Sequence, residues 1–400
     1  MKQTWLSTNF FVFFFTWGIF LPYWTVWLIT KGLTAQQAGI VISIGLLVRA
    51  FSTSYIFPAL CKRYWLSHVS LIVAFLSLII LVCFLPFNNL AGLMLVMVFF
   101  SLIYPMLLPI NETKASILSK EENGIDYGKC RLWGSFGFIL SSVLTGWVAS
   151  KNANNIIYLF LLGNLFILIL SLIRSPSSLR VKLSQRAGGS FELLKSKSFL
   201  ICLLLSMVLQ GTHAAYYNYG VIYLKHIGIN SVYIGGILVL AVLAEIGFFY
   251  ISNRVFTKFD VATMFLLAGI ASIIRWSSVY FFENLLVFVF SQPLHALTFG
   301  LTHFAFMTFV NQYISKDKIP SAHGLYASLA MSLTTGVLTL VSGYLYLYSP
   351  GFPFLGMALV VAPSLFLCPM LKELTRQLIW YNQEPVRYVS KIDEKWALLL

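Results

Sequence analysis

Long apolar segments, each of roughly 20 residues, recur from one end of this chain to the other, and they constrain its fold more than any other feature. In hydrocarbon every backbone N–H and C=O must find its partner inside the segment, so such a run reads as a helix able to cross a bilayer. Scanned with a window of about 19 residues, the first half gives candidate spans at 6–30, 36–58, 67–86, 91–112, 129–149 and 154–173. The second half gives 198–224, 232–252, 261–282, 285–312, 322–347 and 351–371. The segments 91–112 and 285–312 also read as longer, tilted helices. Only 10% of the residues are charged and 59% are apolar, with mean hydropathy +0.84; a soluble domain carries about a quarter charged. The expected fold is therefore an all-α membrane protein with 12 transmembrane helices. The first run follows a single lysine, Lys2, and lacks a small-residue cleavage site, so it reads as a retained span and not a signal peptide.

The net charge of +14 raises the question of a nucleic-acid partner. Its distribution answers it. Of 27 Lys and Arg, only Lys31, Lys151 and Lys225 fall in loops on one side, and Arg49, Arg131 and Arg275 fall inside spans. The rest gather on the other side, Lys114 and Lys129 among them, which places both termini in the cytoplasm. The charge is topology, and a nucleic-acid role is excluded. Cys61, Cys83, Cys130, Cys202 and Cys368 are scattered with no CxxC, so they read as small apolar residues without disulfide or metal duty. No cofactor is expected.

The two halves repeat. Gly32, Gly39 and Arg49 have the same spacing as Gly228, Gly235 and Glu245, and the same offset carries Trp27 to Tyr223, Tyr23 to Tyr219 and Gly128 to Gly324. Two six-helix halves, 1–174 and 198–371, are thus expected around a basic linker, 175–197, with a cytoplasmic tail at 372–400. Parallel duplication of this kind puts a substrate site between the halves near mid-membrane. A transferase would need a loop-borne His/Asp or metal constellation, which the loops lack; no enzyme activity is expected. No span carries a filter motif of the kind a channel uses.

Charges inside the spans mark the candidate site, because an arginine in hydrocarbon costs about 2.5–3.5 kcal/mol on the mildest insertion scale. Arg131, in DYGKCRLWGS, therefore needs a partner, a water-filled cavity or both. Glu112, on the preceding helix after Pro105 and Pro109, is the natural partner, either at a substrate site or as a pair holding the helices together. Arg49 and Glu245 lie deep at equivalent places. They read either as a pair locking the halves or as groups facing a cavity, where a carboxylate can load and release a proton. In QGTHAAYYNY, His213, Tyr216 and Tyr217 share a helical face too polar for lipid. His295 lies mid-span with Thr298 and His303 beyond it, and Arg275 sits beside Trp276 within reach of the interface. Tyr23, Trp24 and Trp27 read as an aromatic belt or as a stacking surface for a ring. Asp126 and Lys129 read as a solvated helix start.

The stretches DYGKCRLWGSFGFI, QGTHAAYYNYGVIYL, VLAEIGFFYISNRVF and SIIRW, with GIFLPYWTVWL near the start and Leu294–His295, resemble the major facilitator superfamily. The similarity covers nearly the whole chain and points to the branch that holds the lactose permease, the nucleoside–proton symporters and the phenylpropionate transporters. It implies the twelve-helix fold and alternating access. It also implies that Glu112 and Arg131 stand where the sugar permease binds substrate, and that Glu245, Arg275 and His295 stand at its binding and proton-coupling positions. Two departures matter. Thr298 stands where that permease has its proton-carrying glutamate, and CKRYWLSHV after the second span lacks the glycine and aspartate of the usual loop motif.

The resulting expectation is a proton-coupled importer of a small aromatic carboxylate such as 3-phenylpropionate, the alternative being a nucleoside or oligosaccharide symporter. Arg131, with Arg49 and Arg275 as further cations, would hold the carboxylate. Glu112, His213, Tyr216, Tyr217, Tyr23, Trp24 and Trp27 would complete the substrate site. Glu245, His295, Arg275 and Arg49 would couple the proton. The expected setting is a functional monomer in a bacterial inner membrane, its partners being the small-molecule substrate, protons and the lipid bilayer.

Overall fold

A computed structural model describes residues 2–119, 121, 125–173, 175–182, 190–315 and 318–377. Part of the expected linker (183–189) and most of the expected tail (378–400) lie outside the described residues. The first six long helices are α1 Lys2–Thr30, α2 Ala35–Arg63, α3 Leu66–Val82, α4 Leu90–Ser119, α5 Tyr127–Asn152 and α6 Ile156–Leu172. The next six are α7 Lys197–His226, α8 Ser231–Val255, α9 Val261–Phe281, α10 Leu285–Tyr313, α11 Ile319–Leu345 and α12 Phe352–Gln377.

Among the described residues, ten helical stretches are long and apolar enough to cross a membrane, against the twelve expected. The difference has two local causes. Helix α3 has 17 residues and falls short of a full span, and α5 runs into α6 through one 3-10 turn, Ala153–Asn155, as a single stretch of 46 residues. At 1.5 Å per residue that stretch is about twice the hydrocarbon thickness of a bilayer. The fold is all-α and multi-pass.

Helix starts follow the capping chemistry of the connecting turns. Thr34 forms a reciprocal box with Gln37, while Asn89, Asp126, Asn230, Asp260 and Asn284 each accept from a first-turn N–H, satisfying donors that the helix cannot. Several helices depart from regular α geometry near their middles. Pro105 lies in a 3-10 turn, Tyr104–Met106, whereas Pro109 sits inside a regular helix. Helix α7 breaks at Thr212, and π segments interrupt α2 at Ser52–Ile56, α10 at Ala296–Leu301 and α11 at Tyr326–Thr334.

The bundle has two distinguishable ends. At the terminal end, the start of α1 meets the start of α5 through Gln3 and Asp126, Lys2 pairs with Glu121, and Lys372 of α12 pairs with Asp260 before α9. At the far end, Lys31 after α1 bonds the Leu85 carbonyl after α3. The sequence repeat recurs in this geometry. Gly32 and Gly228 are the positive-φ residues among those described, at +87° and +86°, each turning the chain after the first helix of its set. Tyr23 donates to the Ser142 carbonyl on α5, and Tyr219 to the Thr339 carbonyl on α11.

The two sets of six meet along helix pairs α1–α7, α2–α11 and α5–α8. Their close contacts lie toward the far end: Ser43 donates to the Gly336 carbonyl at 2.7 Å, and Tyr219 reaches the Ala35 carbonyl. A Cβ on Gly235 would stand 2.2 Å from the Ser142 carbonyl oxygen, so only glycine lets α8 approach α5 that closely. A continuous apolar core joins the first set to the far-end residues of the second, while the terminal-end core of the second set is separate. The halves are sealed at the far end and part toward the terminal end.

Candidate functional site

Two charged clusters flank the parting, one from each half. In the first half, Arg131 Nε lies 3.8 Å from Glu112 Oε1, and Tyr127 donates to Glu112 Oε2 at 2.8 Å. The arginine side chain is 37% exposed and the glutamate 38%, although each lies more than a turn inside its helix. Arg131 rests on the face of Phe14, 3.9 Å from the ring centroid, a contact that orients the guanidinium. Helix α1 can lie this near to α5 because Gly134 and Gly137 face Phe14 and the Phe11 carbonyl with no side chain between. One turn back, Asp126 caps α5, and the Lys129 N–H that it accepts holds its carboxyl below the usual range.

In the second half, Glu245 Oε2 on α8 lies 3.7 Å from His295 Nε2 on α10, and Arg275 Nη1 on α9 lies 3.1 Å from His295 Nδ1. A guanidinium can only donate. His295 Nδ1 therefore accepts, and the neutral ring carries its proton on Nε2, aimed at Glu245. Arg275 also donates to Thr298 Oγ1 at 3.0 Å. His213 Nδ1 faces the Leu209 and Gln210 carbonyls and so bears a hydrogen, which leaves Nε2 to accept from Thr298 at 3.0 Å. Every tautomer in this network follows from its neighbours. Arg275 is fully buried against Tyr216 and Trp276, and among the described residues no carboxylate lies within ion-pair distance of it. Glu245 is 29% exposed and stands within electrostatic reach of Arg131 on the opposite half, as does His303. The clusters therefore face each other across the parting.

The other expected residues divide by position. His213, Tyr216 and Tyr217 join the second-half cluster: Tyr216 donates to Gln292 at 2.8 Å, and Tyr217 lies beside the His213 and His295 rings. Arg49 packs over the Trp17 indole, 4.9 Å from the centroid, in the gap between α1, α2 and α4. Trp24 and Trp27 are not brought to either cluster, while Tyr23 comes within electrostatic reach of Tyr216. All three are buried; Trp24 and Trp27 stack at 4.6 Å and pack edge-on against Phe84 in the far-end core. Neither expected form, belt or stacking surface, describes them here, because the far-end seal covers the face of α1 that carries them.

One charged residue was misplaced by its position in the sequence. Lys114, counted above with the flanking basic residues, is 3% exposed inside the first half. Its ammonium meets Ser70 Oγ at 2.9 Å, Asn9 Oδ1 at 3.3 Å and Asn111 Oδ1 at 3.4 Å, over the Trp5 ring. Three neutral oxygens match three donors. The available signal was Asn111 one turn before Lys114, with Asn9 inside the first apolar run.

Paired charges on facing halves, a sealed far end and a repeat at constant offset are the geometry of an alternating carrier. The MFS_1 like family model matches residues 3–355. The chain belongs to the major facilitator superfamily. It is 33% identical to the probable 3-phenylpropionic acid transporter of Escherichia coli (strain K12), over 91% of this chain and 97% of that one. It is 26% identical to the maltose permease of Geobacillus stearothermophilus, over 86% of this chain and 88% of that one. The crystal structure of the nucleoside transporter NupG shares the fold, with TM-score 0.79 at 17% identity, covering 94% of this chain and 99% of that one. This member of the superfamily is a secondary active transporter of a small solute in a membrane that it crosses many times.

Proposed function

We propose that this transporter is a proton-coupled importer of a small aromatic carboxylate, with 3-phenylpropionate as the model substrate. One observation carries the reading. Inside the apolar stretches the arginines Arg49, Arg131 and Arg275 outnumber the carboxylates Glu112 and Glu245 among the described residues. Uncompensated charge in hydrocarbon is expensive, so a site with surplus cations favours an anion over a neutral sugar or nucleoside. The tyrosine, tryptophan and histidine rings around Arg275 suit a substrate that carries a ring of its own. The relative of Escherichia coli named for 3-phenylpropionic acid supports that choice of model substrate.

In this reading the α5–α6 stretch crosses twice and α3 crosses by tilting little, making twelve spans. The halves are 1–174 and 198–371, the basic terminal end faces the cytoplasm of a bacterial inner membrane, and the monomer is the working unit. The described state is then open to the cytoplasm. Arg131 meets the substrate carboxylate at the cavity mouth in exchange for part of its contact with Glu112. Glu245, 3.7 Å from His295 Nε2, takes the proton. A monoanion and one proton carry no net charge, so accumulation follows the pH gradient.

The pair Glu112–Arg131 offers an acceptor and a donor side by side, which also suits sugar hydroxyls; that observation supports the nucleoside or oligosaccharide alternative. The test is uptake of labelled 3-phenylpropionate into proteoliposomes under an imposed pH gradient or an imposed potential, with unlabelled nucleoside or maltose as competitor. Uptake driven by the pH gradient and indifferent to both competitors is expected. Uptake that needs the potential, or that nucleoside or maltose abolishes, would sink the reading, since one moved charge is worth about 2.3 kcal/mol per 100 mV.

A further inference from the structure

Arg49 and Glu245 occupy equivalent places in the two halves, offset like the paired glycines and tyrosines around them. They carry opposite charge, and each lacks a fixed counter-ion. Glu245 has only the imidazole of His295 beside it. Arg49 has less. Among the described residues no carboxylate lies within ion-pair distance of its guanidinium and no side-chain or backbone oxygen accepts from it, while its backbone carbonyl accepts from the Thr53 hydroxyl and the Ser52 N–H. Its plane lies over Trp17, and the gap beside it is lined by Phe20, Phe100, Ser101 and Tyr104. That gap has a free volume of about 20 Å³, room for a water-sized group.

The other embedded cations each have partners, although Arg275 uses only Nη1 and keeps Nε and Nη2 buried without one. Arg131 has Glu112, Lys114 has its three oxygens, and Arg275 gives hydrogen bonds to His295 and Thr298. A guanidinium with five free donors beside aromatic faces is a receptor for a planar, two-oxygen anion whose substituent is a ring. Trp17 and Tyr104, whose rings stack on each other at 6.4 Å, bound the gap beside the guanidinium.

Resting on the substrate class proposed above, we propose that Arg49 is the deep seat of the substrate carboxylate, and that substrate and proton load at symmetry-related positions, the anion on Arg49 and the proton on Glu245. Loading then neutralises one uncompensated charge in each half. Arg131 acts earlier, at the mouth, and Arg49 holds the anion at mid-height, where Trp17 and Tyr104 can report its arrival.

The experiment measures binding of 3-phenylpropionate and of its uncharged amide to the purified protein by tryptophan fluorescence, in wild type, Arg49→Met and Arg131→Lys. Losing a charge-assisted bidentate contact lowers affinity about 10- to 100-fold. The expected result is that Arg49→Met loses at least 10-fold for the acid and nothing for the amide, so that the acid-to-amide preference collapses. An equal loss for both ligands would make Arg49 a packing residue and overturn the proposal. An unchanged preference in Arg49→Met, with collapse in Arg131→Lys, would leave the carboxylate on Arg131 and overturn it as well. Failure of wild type to bind the acid at all would instead overturn the substrate class, and the seat with it.

Discussion

Arg131 and Arg275 stand in opposite sets of six helices, yet they are satisfied in opposite ways. Arg131 holds a carboxylate directly, at 3.8 Å, and both partners are more than a third exposed. Arg275 is fully buried and reaches its nearest carboxylate, Glu245, only through His295. Water at the first site screens the pair and makes its partner exchangeable, which a ligand contact requires. Burial at the second site fixes Arg275 Nη1 and the tautomers of His213 and His295, which a proton path requires. In the proposed function this asymmetry would divide the two tasks of a symporter between the halves.

The largest effect should come from the carboxylate at the end of the fixed network. Glu245→Gln keeps the shape and removes the titratable group, so accumulation against a gradient should be abolished while substrate exchange across proteoliposomes persists. Accumulation retained at the wild-type level would move the proton elsewhere. A smaller loss is expected one step back. Arg275→Met frees His295 Nδ1 and releases the imidazole from its single tautomer; second-layer losses of this type cost about 10- to 100-fold. Initial uptake rate under a pH gradient should fall by that factor while exchange falls less, and an equal fall in both would reduce Arg275 to a packing role. The smallest effect belongs to the exchangeable pair. Arg131→Lys keeps the charge but loses the planar fork, so half-saturation should rise about tenfold with maximal rate little changed. An unchanged half-saturation would erase the contrast between the two arginines.

Much of this was legible before any packing was known, and particular residues show why. The apolar runs, the offset linking Gly32 to Gly228, and the depth of Arg131, Glu112 and Glu245 are all local or periodic properties. Periodicity reports which face of a helix avoids water. It does not report what that face meets. Lys114 shows the limit: its place near a helix end reads as a flanking charge, and only the approach of α1 and α3 supplies Asn9 and Ser70 around it. Trp24 and Trp27 show the converse, since aromatic residues at an outer helix end suit a belt, a stacking surface or a core equally. The closure of the far end decided for the core. The single stretch from Tyr127 to Leu172 shows a third limit, because hydropathy separates two spans where the backbone continues through one short turn.

The sequence by itself determined that this chain is an all-helical membrane protein with costly charges held inside it. Hydrophobic length, glycine spacing and the placement of Lys and Arg act along the chain, and each is readable one segment at a time. Only the tertiary structure decided which charges are answered and which are left open. An ion pair, a tautomer or an empty guanidinium depends on atoms from helices far apart in sequence coming within about 3–4 Å. That is why Arg131 meets Glu112, His295 points its proton at Glu245, and Arg49 alone among the embedded arginines described has no acceptor of its own.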